Sequence, residues 1–501
     1  MAFTMRMKAL RVGPIHDGKE LHNGHAGSCG VVNPATGQTV ATQELCDEAC
    51  VARIVESSAR AYYSPEWQKL SAAERGYLLL NLAAIVEKHA EELIELELLD
   101  TGKPITQLRT GEIPLAAAII RFYAGAADKI EGAIKSGNRD DLLLTVHEPY
   151  GVVAGILPWN YPFVNAAMKA APALAAGNAV VLKPSIETPL ATVSFAKLCL
   201  KAGLPPGIVN VVLGGGAKAG NALVTHPAVK KVSFTGSTQV GCSLQRLAAD
   251  QMKAINLECG GKNALIVLAD ADLERAADAA LLSGFANAGQ LCVSCSRVLV
   301  QASVARRFET MLADRVAKLK VGNPRHPKTL IGPMITRGQH EIVLRYLDEA
   351  RREGGTVRCG GGPLKLPKPF DQGFWIQPTL LTGVKPGMKA HDEEIFGPVL
   401  SVTRFRDEAE ALSIANNVPY GLSGSVWTRD AARGLRLAKA MDTGIIWVNS
   451  MLAGYPQIPV PPHKMSGTGV ELGMEGLLAY LKRKSIVLGV NDRAPVGWQL
   501  D

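Results

Sequence analysis

Four apolar runs of strand length follow one another at helix-sized intervals: Val152 to Leu157, Ala179 to Leu182, Val209 to Leu213 and Lys231 to Phe234. Alternation of this kind leaves a chain few options. Each strand returns to the same sheet through a right-handed helical crossover, so the expected fold class is α/β with a doubly wound, Rossmann-like parallel sheet. Such sheets bind ligands outside the carboxyl ends of their strands. Those ends carry Pro158-Trp159-Asn160, Lys183-Pro184-Ser185, Gly214-Gly215-Gly216 and Thr235-Gly236-Ser237, nearly all small or polar.

The alternation resumes from about Asp270 to Asp430 and predicts a second α/β domain. With 501 residues there is chain enough for two or three domains. Ser71-Ala72-Ala73-Glu74 reads as a capping box. The helix it opens is expected to run to about Asp100 and stop near Gly102 and Pro104. Thr188-Pro189 reads as an N-cap and first helical position. Gly132 to Pro149 and Leu481 to Val490 are strand-like with little core of their own, and unpaired strand edges favour association.

Charge and composition exclude several function classes. The net charge is +8 without a block of like charges, so no nucleic-acid arm is expected. No apolar stretch is long enough to span a membrane, and the N-terminus lacks the apolar core of a secretory signal. Nine cysteines without a regular framework fit a reducing cytoplasm. Cys292-Val293-Ser294-Cys295 has no second pair at metal spacing, so no metal is expected.

Two residue types point to chemistry. A thiol is a useful nucleophile as its thiolate, and a nearby carboxylate can act as base. Cys292 closes Gly289-Gln290-Leu291-Cys292, and Glu258 stands in Leu257-Glu258-Cys259-Gly260-Gly261-Lys262. The glycine motifs fit no standard nucleotide loop. Gly214-x-Gly216 is followed by Gly220, and Cys242-Ser243 stands where a P-loop needs Lys-Ser/Thr.

With Pro158-Trp159-Asn160-Tyr161-Pro162 and Glu393-Glu394-Ile395-Phe396-Gly397-Pro398 in order around these segments, the chain resembles the aldehyde dehydrogenase superfamily over nearly its whole length. The resemblance implies an NAD(P)-dependent, non-acylating enzyme that oxidises an aldehyde to an acid. Cys292 would be the nucleophile, Asn160 the oxyanion donor and Glu258 the base, with Lys169 and Glu471 relaying protons. Trp159, Lys183, Ser185, Gly216, Phe234, Gly236, Ser237, Val240, Gln339, Glu394 and Phe396 would hold NAD, with NADP possible. Tyr161, Met168, Ala286 and Val460 would line the aldehyde site. The same resemblance implies a dinucleotide-binding domain at 1–130 and 149–259, a catalytic domain at 260–466, and an arm at 131–148 and 467–495 that joins a homodimer or homotetramer.

Three departures from the family pattern bear on specificity. Many NAD-preferring relatives carry a glutamate three places after the lysine of Lys183-Pro184-Ser185; here Ile186 stands there and Glu187 is one place late. Pro459-Val460-Pro461-Pro462 replaces the usual Pro-Phe-Gly-Gly. Met168, Ala286 and Val460 stand where betaine-aldehyde and aminoaldehyde enzymes often carry aromatics, so an apolar aromatic or medium-chain aldehyde is expected. The alternatives are a betaine-aldehyde or aminoaldehyde dehydrogenase, an acylating relative, which would generally lack Glu258, a crystallin-like structural protein, and a cysteine hydrolase, for which no histidine lies in a motif that pairs with Cys292.

Overall fold

The computed structural model describes residues 10–22, 26–137 and 139–490. The first sheet has eight strands. Its centre is five parallel strands in the spatial order Ala254–Glu258, Val229–Thr235, Val152–Ile156, Ala179–Lys183 and Val209–Val211. Two strands from the N-terminal region, Ile15–His16 and Lys19–Glu20, extend one edge. At the other edge Gly467–Thr468 pairs antiparallel with Leu257 and Glu258. Chain order reverses direction between Val152–Ile156 and Val229–Thr235, which puts the ligand crevice of a doubly wound sheet beside Trp159-Asn160 and Thr235-Gly236-Ser237.

The second sheet has seven strands, in the order Thr356–Cys359, Thr379–Thr382, Val399–Phe405, Arg297–Gln301, Ala264–Val267, Ser423–Trp427 and Ile445–Val448. Only the first of these is antiparallel. The expected α/β class is therefore the observed one. Among the described residues no helix is long and apolar enough to cross a membrane.

Local expectations meet mixed outcomes. The Ser71 capping box forms with both of its hydrogen bonds. The long helix behind it is two helices, Ala72–Lys88 and Ala90–Thr101, because His89 leaves helical backbone at φ −99°, ψ 17°. The second ends at Gly102 in the left-handed region, where a Cβ would lie 2.7 Å from Pro333 and 2.9 Å from Pro34. Thr188 is not an N-cap. The helix begins at Leu190, and the carboxylate of Asp100 accepts from the Leu190 N–H at 3.0 Å, doing the capping from another helix.

Ala133–Lys135, Asp141–Pro149 and Leu481–Gly489 form a third, antiparallel sheet. The last two pair over nine residues, from Leu481 opposite Pro149 to Gly489 opposite Asp141. Leu481–Gly489 is an edge strand and carries exposed Val487 and Leu488. Residues 491–495 of the expected arm, and the N-terminal stretch before Leu10, lie outside the described residues.

Candidate active site

Cys292 owes its position to an unusual turn. Asn287, Ala288 and Gly289 lie consecutively in the left-handed region, at φ 49°, 54° and 71°. For two non-glycine residues this conformation is strained and persists only where neighbours impose it. The Asn287 amide donates to the carbonyls of Asn160 (3.1 Å) and Gln290 (3.2 Å). Gln290 donates to Asn287 O at 3.0 Å and accepts from Ile335 N at 2.9 Å. Gly289 has no room for a side chain: its Cβ would lie 2.1 Å from Gly397 O. Downstream, the Asn263 amide donates to Cys292 O at 2.8 Å and Ser294 O at 2.9 Å. Asn263 went unnoticed in the sequence although it ends the segment Gly260-Gly261-Lys262-Asn263.

The thiol opens on a cavity of about 680 Å³ whose wall includes Asn160, Glu258, Glu471, Tyr161, Met168, Ala286 and Val460. Three of the five expected catalytic residues thus share the wall with Cys292, as do all four expected substrate residues. Lys169 stands behind it, fully buried, its Nζ 2.5 Å from Glu471 Oε1 and 3.2 Å from Ser233 Oγ. Cys295 points away into the core of the second sheet.

Burial dominates the electrostatics. It pushes the Cys292 thiol up to about 12, and the Glu394 and Glu258 carboxylates add to the rise. Burial also holds Glu258 well above the usual carboxylate range; Glu471 reinforces this and Lys169 opposes it. Glu258 Oε1 has no hydrogen-bond partner among the described residues. Asn160 spends one amide N–H on Gln290 O at 3.0 Å, and the second remains for the cavity.

The remaining wall is apolar and includes residues missed in the sequence, Leu115, Phe285, Trp447 and Tyr455 among them. A π-helical turn, Leu108–Glu112, brings Thr110 and Gly111 to the same wall. Beneath Tyr161 lies a buried ion pair between Lys103 and Glu112, and Lys103 Nζ sits 4.2 Å from the centre of the Tyr161 ring. Phe163 is in the core, packed on Phe195, and is not on the cavity wall. Val460 exchanges both backbone hydrogen bonds with Glu471, at 2.7 and 3.3 Å, which pins the proline-rich loop.

Eight of the expected cofactor residues lie at the carboxyl ends of first-sheet strands or in the segments that follow them, whereas Gln339, Glu394 and Phe396 come from segments flanking the second sheet. Ser237 caps the helix Thr238–Ala249, accepting from Val240 N, and Val240 itself is exposed. Gly236 lies over the Phe234 ring, where a Cβ would come within 2.5 Å of Cζ. Lys183 ends its strand buried rather than snorkelling, and burial lowers it to about 8. Its Nζ donates to Pro184 O at 3.0 Å. Glu187 bonds the Ser185 hydroxyl, and its charge favours the Lys183 ammonium. Gly216 opens a π-helical turn with free space at its Cβ position.

Trp159 and Phe396 pack edge to face, centres 5.2 Å apart. Phe396 has φ 55°, and the Gln339 amide holds that turn by donating to Ile395 O (3.1 Å) and Phe396 O (3.0 Å). Glu394 accepts from Gly261 N at 3.0 Å, and burial raises it to about 7. The buried Lys183 ammonium, the start of the helix Thr238–Ala249 and the exposed Val240 would fit a dinucleotide's ribose hydroxyls, pyrophosphate and adenine respectively.

The aldehyde dehydrogenase family profile matches residues 22–486. The chain belongs to the aldehyde dehydrogenase family. It is 40 % identical to aldehyde dehydrogenase family 2 member B4, mitochondrial, of Arabidopsis thaliana, over 92 % of this chain and 85 % of that one. It is 38 % identical to an aldehyde dehydrogenase-like protein of Schizosaccharomyces pombe, over 92 % of each. Among solved structures, betaine aldehyde dehydrogenase of Staphylococcus aureus in complex with NAD+ superposes with a TM-score of 0.95 at 36 % identity, covering 99 % of this chain and 98 % of that one. As an aldehyde dehydrogenase, the chain is an enzyme with an α/β architecture shared over nearly its full length.

Proposed function

We propose that this enzyme oxidises an apolar aldehyde, aromatic or medium-chain aliphatic, to its carboxylic acid through a covalent bond to Cys292, with NAD as cofactor. The observation that carries the reading is one cavity wall holding Cys292, Asn160 and Glu258 together, with apolar side chains around them. Cys292, once deprotonated, attacks the carbonyl carbon to form a thiohemiacetal. The free Asn160 N–H donates to the oxyanion; losing one such donor typically costs on the order of a hundredfold in rate. Held by the crevice residues named above, a bound NAD would supply the hydride acceptor for oxidation of this adduct to a thioester. Glu258 then accepts a proton from water, which attacks the thioester and releases the acid. The Lys169–Glu471 pair lies behind it to pass that proton on.

For the cofactor, the crevice supports NAD over NADP. Glu187 fills the place left by Ile186: its carboxylate stands beside Ser185 and Lys183, where it would repel a ribose 2′-phosphate. Domain boundaries at about 130, 149, 259 and 466 fit this division of labour between crevice and nucleophile. A betaine-aldehyde reading is favoured by Tyr161 and Trp447 on the wall and by the named function of the Staphylococcus aureus relative. Against it, the Tyr161 ring already faces the Lys103 ammonium.

The test is Cys292→Ala. Aldehyde oxidation should vanish while NAD binding, read by calorimetry, persists. Retention of more than a few per cent of activity would rule out the covalent route.

A further inference from the structure

Away from the aldehyde cavity, two thiols stand in direct contact. The sulfurs of Cys46 and Cys50 are 3.2 Å apart, and each residue is 3 % exposed. Cys46 precedes Asp47, the N-cap of the helix Glu48–Tyr62, and Cys50 lies in its first turn. The Asp47 carboxylate accepts from Cys50 N at 2.7 Å, which fixes the turn that carries both thiols. A disulfide requires sulfurs at about 2.05 Å, so closing the bond takes roughly 1 Å of movement.

The surroundings link this pair to the cofactor crevice. Cys46 N donates to Leu213 O at 2.9 Å. A Cβ on the next residue, Gly214, would lie 3.6 Å from Cys46 O. The glycine turn then runs to Gly220, whose Cβ position is 3.5 Å from Lys183 Cε. Backbone contact is therefore continuous from the thiols to the lysine assigned above to the ribose.

We propose that Cys46 and Cys50 are a reversible modification site, converted to a disulfide by hydroperoxides, and that the bond alters the adenosine half of the cofactor crevice. The second half of this inference rests on the cofactor reading under Proposed function; the first does not. Cys50 is the thiol placed to react first, at a helix start with Arg53 on the next turn. The hydrogen bond shared with Cys46 does most to lower it, ahead of the Arg53 charge, while burial opposes; the same bond raises Cys46. With hydrogen peroxide, Cys50 sulfur attacks one oxygen, the O–O bond breaks, and hydroxide leaves to take the proton Cys50 released. Cys46 sulfur then attacks the sulfenic acid, the S–O bond breaks, and a second hydroxide leaves to take the Cys46 proton. Two thiols and one peroxide give one disulfide and two waters, with two electrons passing from sulfur to oxygen.

The experiment uses the full chain carrying Cys292→Ala, so that the catalytic thiol does not react. The protein is titrated with hydrogen peroxide, alkylated, and digested for mass spectrometry. The peptide that ends at Arg53 holds Cys29, Cys46 and Cys50; it is expected to lose two hydrogens and the alkylation of Cys46 and Cys50 while Cys29 stays alkylated, and dithiothreitol should restore both. The Kd for NAD, by calorimetry, should shift at least threefold on oxidation, with the shift absent from Cys46→Ala and Cys50→Ser. Full alkylation of both cysteines after peroxide treatment would overturn the site. A disulfide that leaves the Kd unchanged would overturn the link to the crevice. Absence of NAD binding in the reduced protein would instead defeat the cofactor reading, and the mass measurement would still decide the thiol pair.

Discussion

Glu258 shows what a buried carboxylate costs its host. The fold buries it, sets Glu471 near it and gives Oε1 no hydrogen-bond partner among the described residues. Because its folded pKa lies above the unfolded value, its ionised form is disfavoured by folding. Stability is therefore lost as pH rises through the unfolded pKa, and the full penalty applies above the folded one. Glu258→Gln at pH 8 should raise Tm by about 1–3 °C. The same variant should show a burst of NADH followed by slow turnover, because deacylation loses its base. A lower Tm, or equal loss in both phases, would contradict this role. For the wild type, kcat/KM should climb between pH 6 and 9. Cys292, raised to about 12, and Glu258 both become competent only as they lose protons. A flat profile would contradict it. Glu187 offers a cleaner test of electrostatics. Glu187→Gln should raise the NADP/NAD ratio of kcat/KM about tenfold, equivalent to about 1.4 kcal/mol. An unchanged ratio would remove Glu187 from cofactor selection.

At the scale of elements, the arm carries the clearest expectation. Leu481–Gly489 is an edge strand with Val487 and Leu488 exposed, and such edges favour pairing with another chain. Truncation after Lys482 should leave a monomer in light scattering at micromolar concentration, whereas the full chain should be a dimer or tetramer. An oligomer that survives truncation would exclude the arm as the joint. Elements governed by local pattern were legible in the sequence: the parallel strands, the Ser71 capping box, the stop at Gly102. Those governed by distant partners were not. Asp100 caps a helix that starts 90 residues later, and no local signal announces it. Likewise the π-helical turn at Leu108–Glu112 brings Thr110 and Gly111 to the cavity without a periodicity that marks it. In the site, Cys292, Glu258 and Glu471 could be picked out by motif and share a cavity wall, but the cation beneath Tyr161 is a product of packing.

At the scale of the whole molecule, the proposed choice of aldehyde rests on the cavity beside Cys292. Its volume is that of an ordinary small-molecule site, and its wall is mostly apolar. Each buried CH₂ of a substrate is worth ~0.8 kcal/mol there. Hexanal and benzaldehyde should therefore exceed betaine aldehyde in kcat/KM. The reverse order would move the enzyme to the betaine group.

The strand Gly467–Thr468 has an implication for how this molecule comes into being. It pairs with Leu257 and Glu258, and Leu477 and Tyr480 lie in the core of the first sheet. A ribosome builds from the N-terminus, so the sheet edge at Glu258 waits bare until the segment from Gly467 onward emerges. Domains that close only on their last residues fold late and stay exposed to aggregation meanwhile. Nascent chains stalled before Gly467 should therefore occupy chaperones, and activity should require the segment that follows.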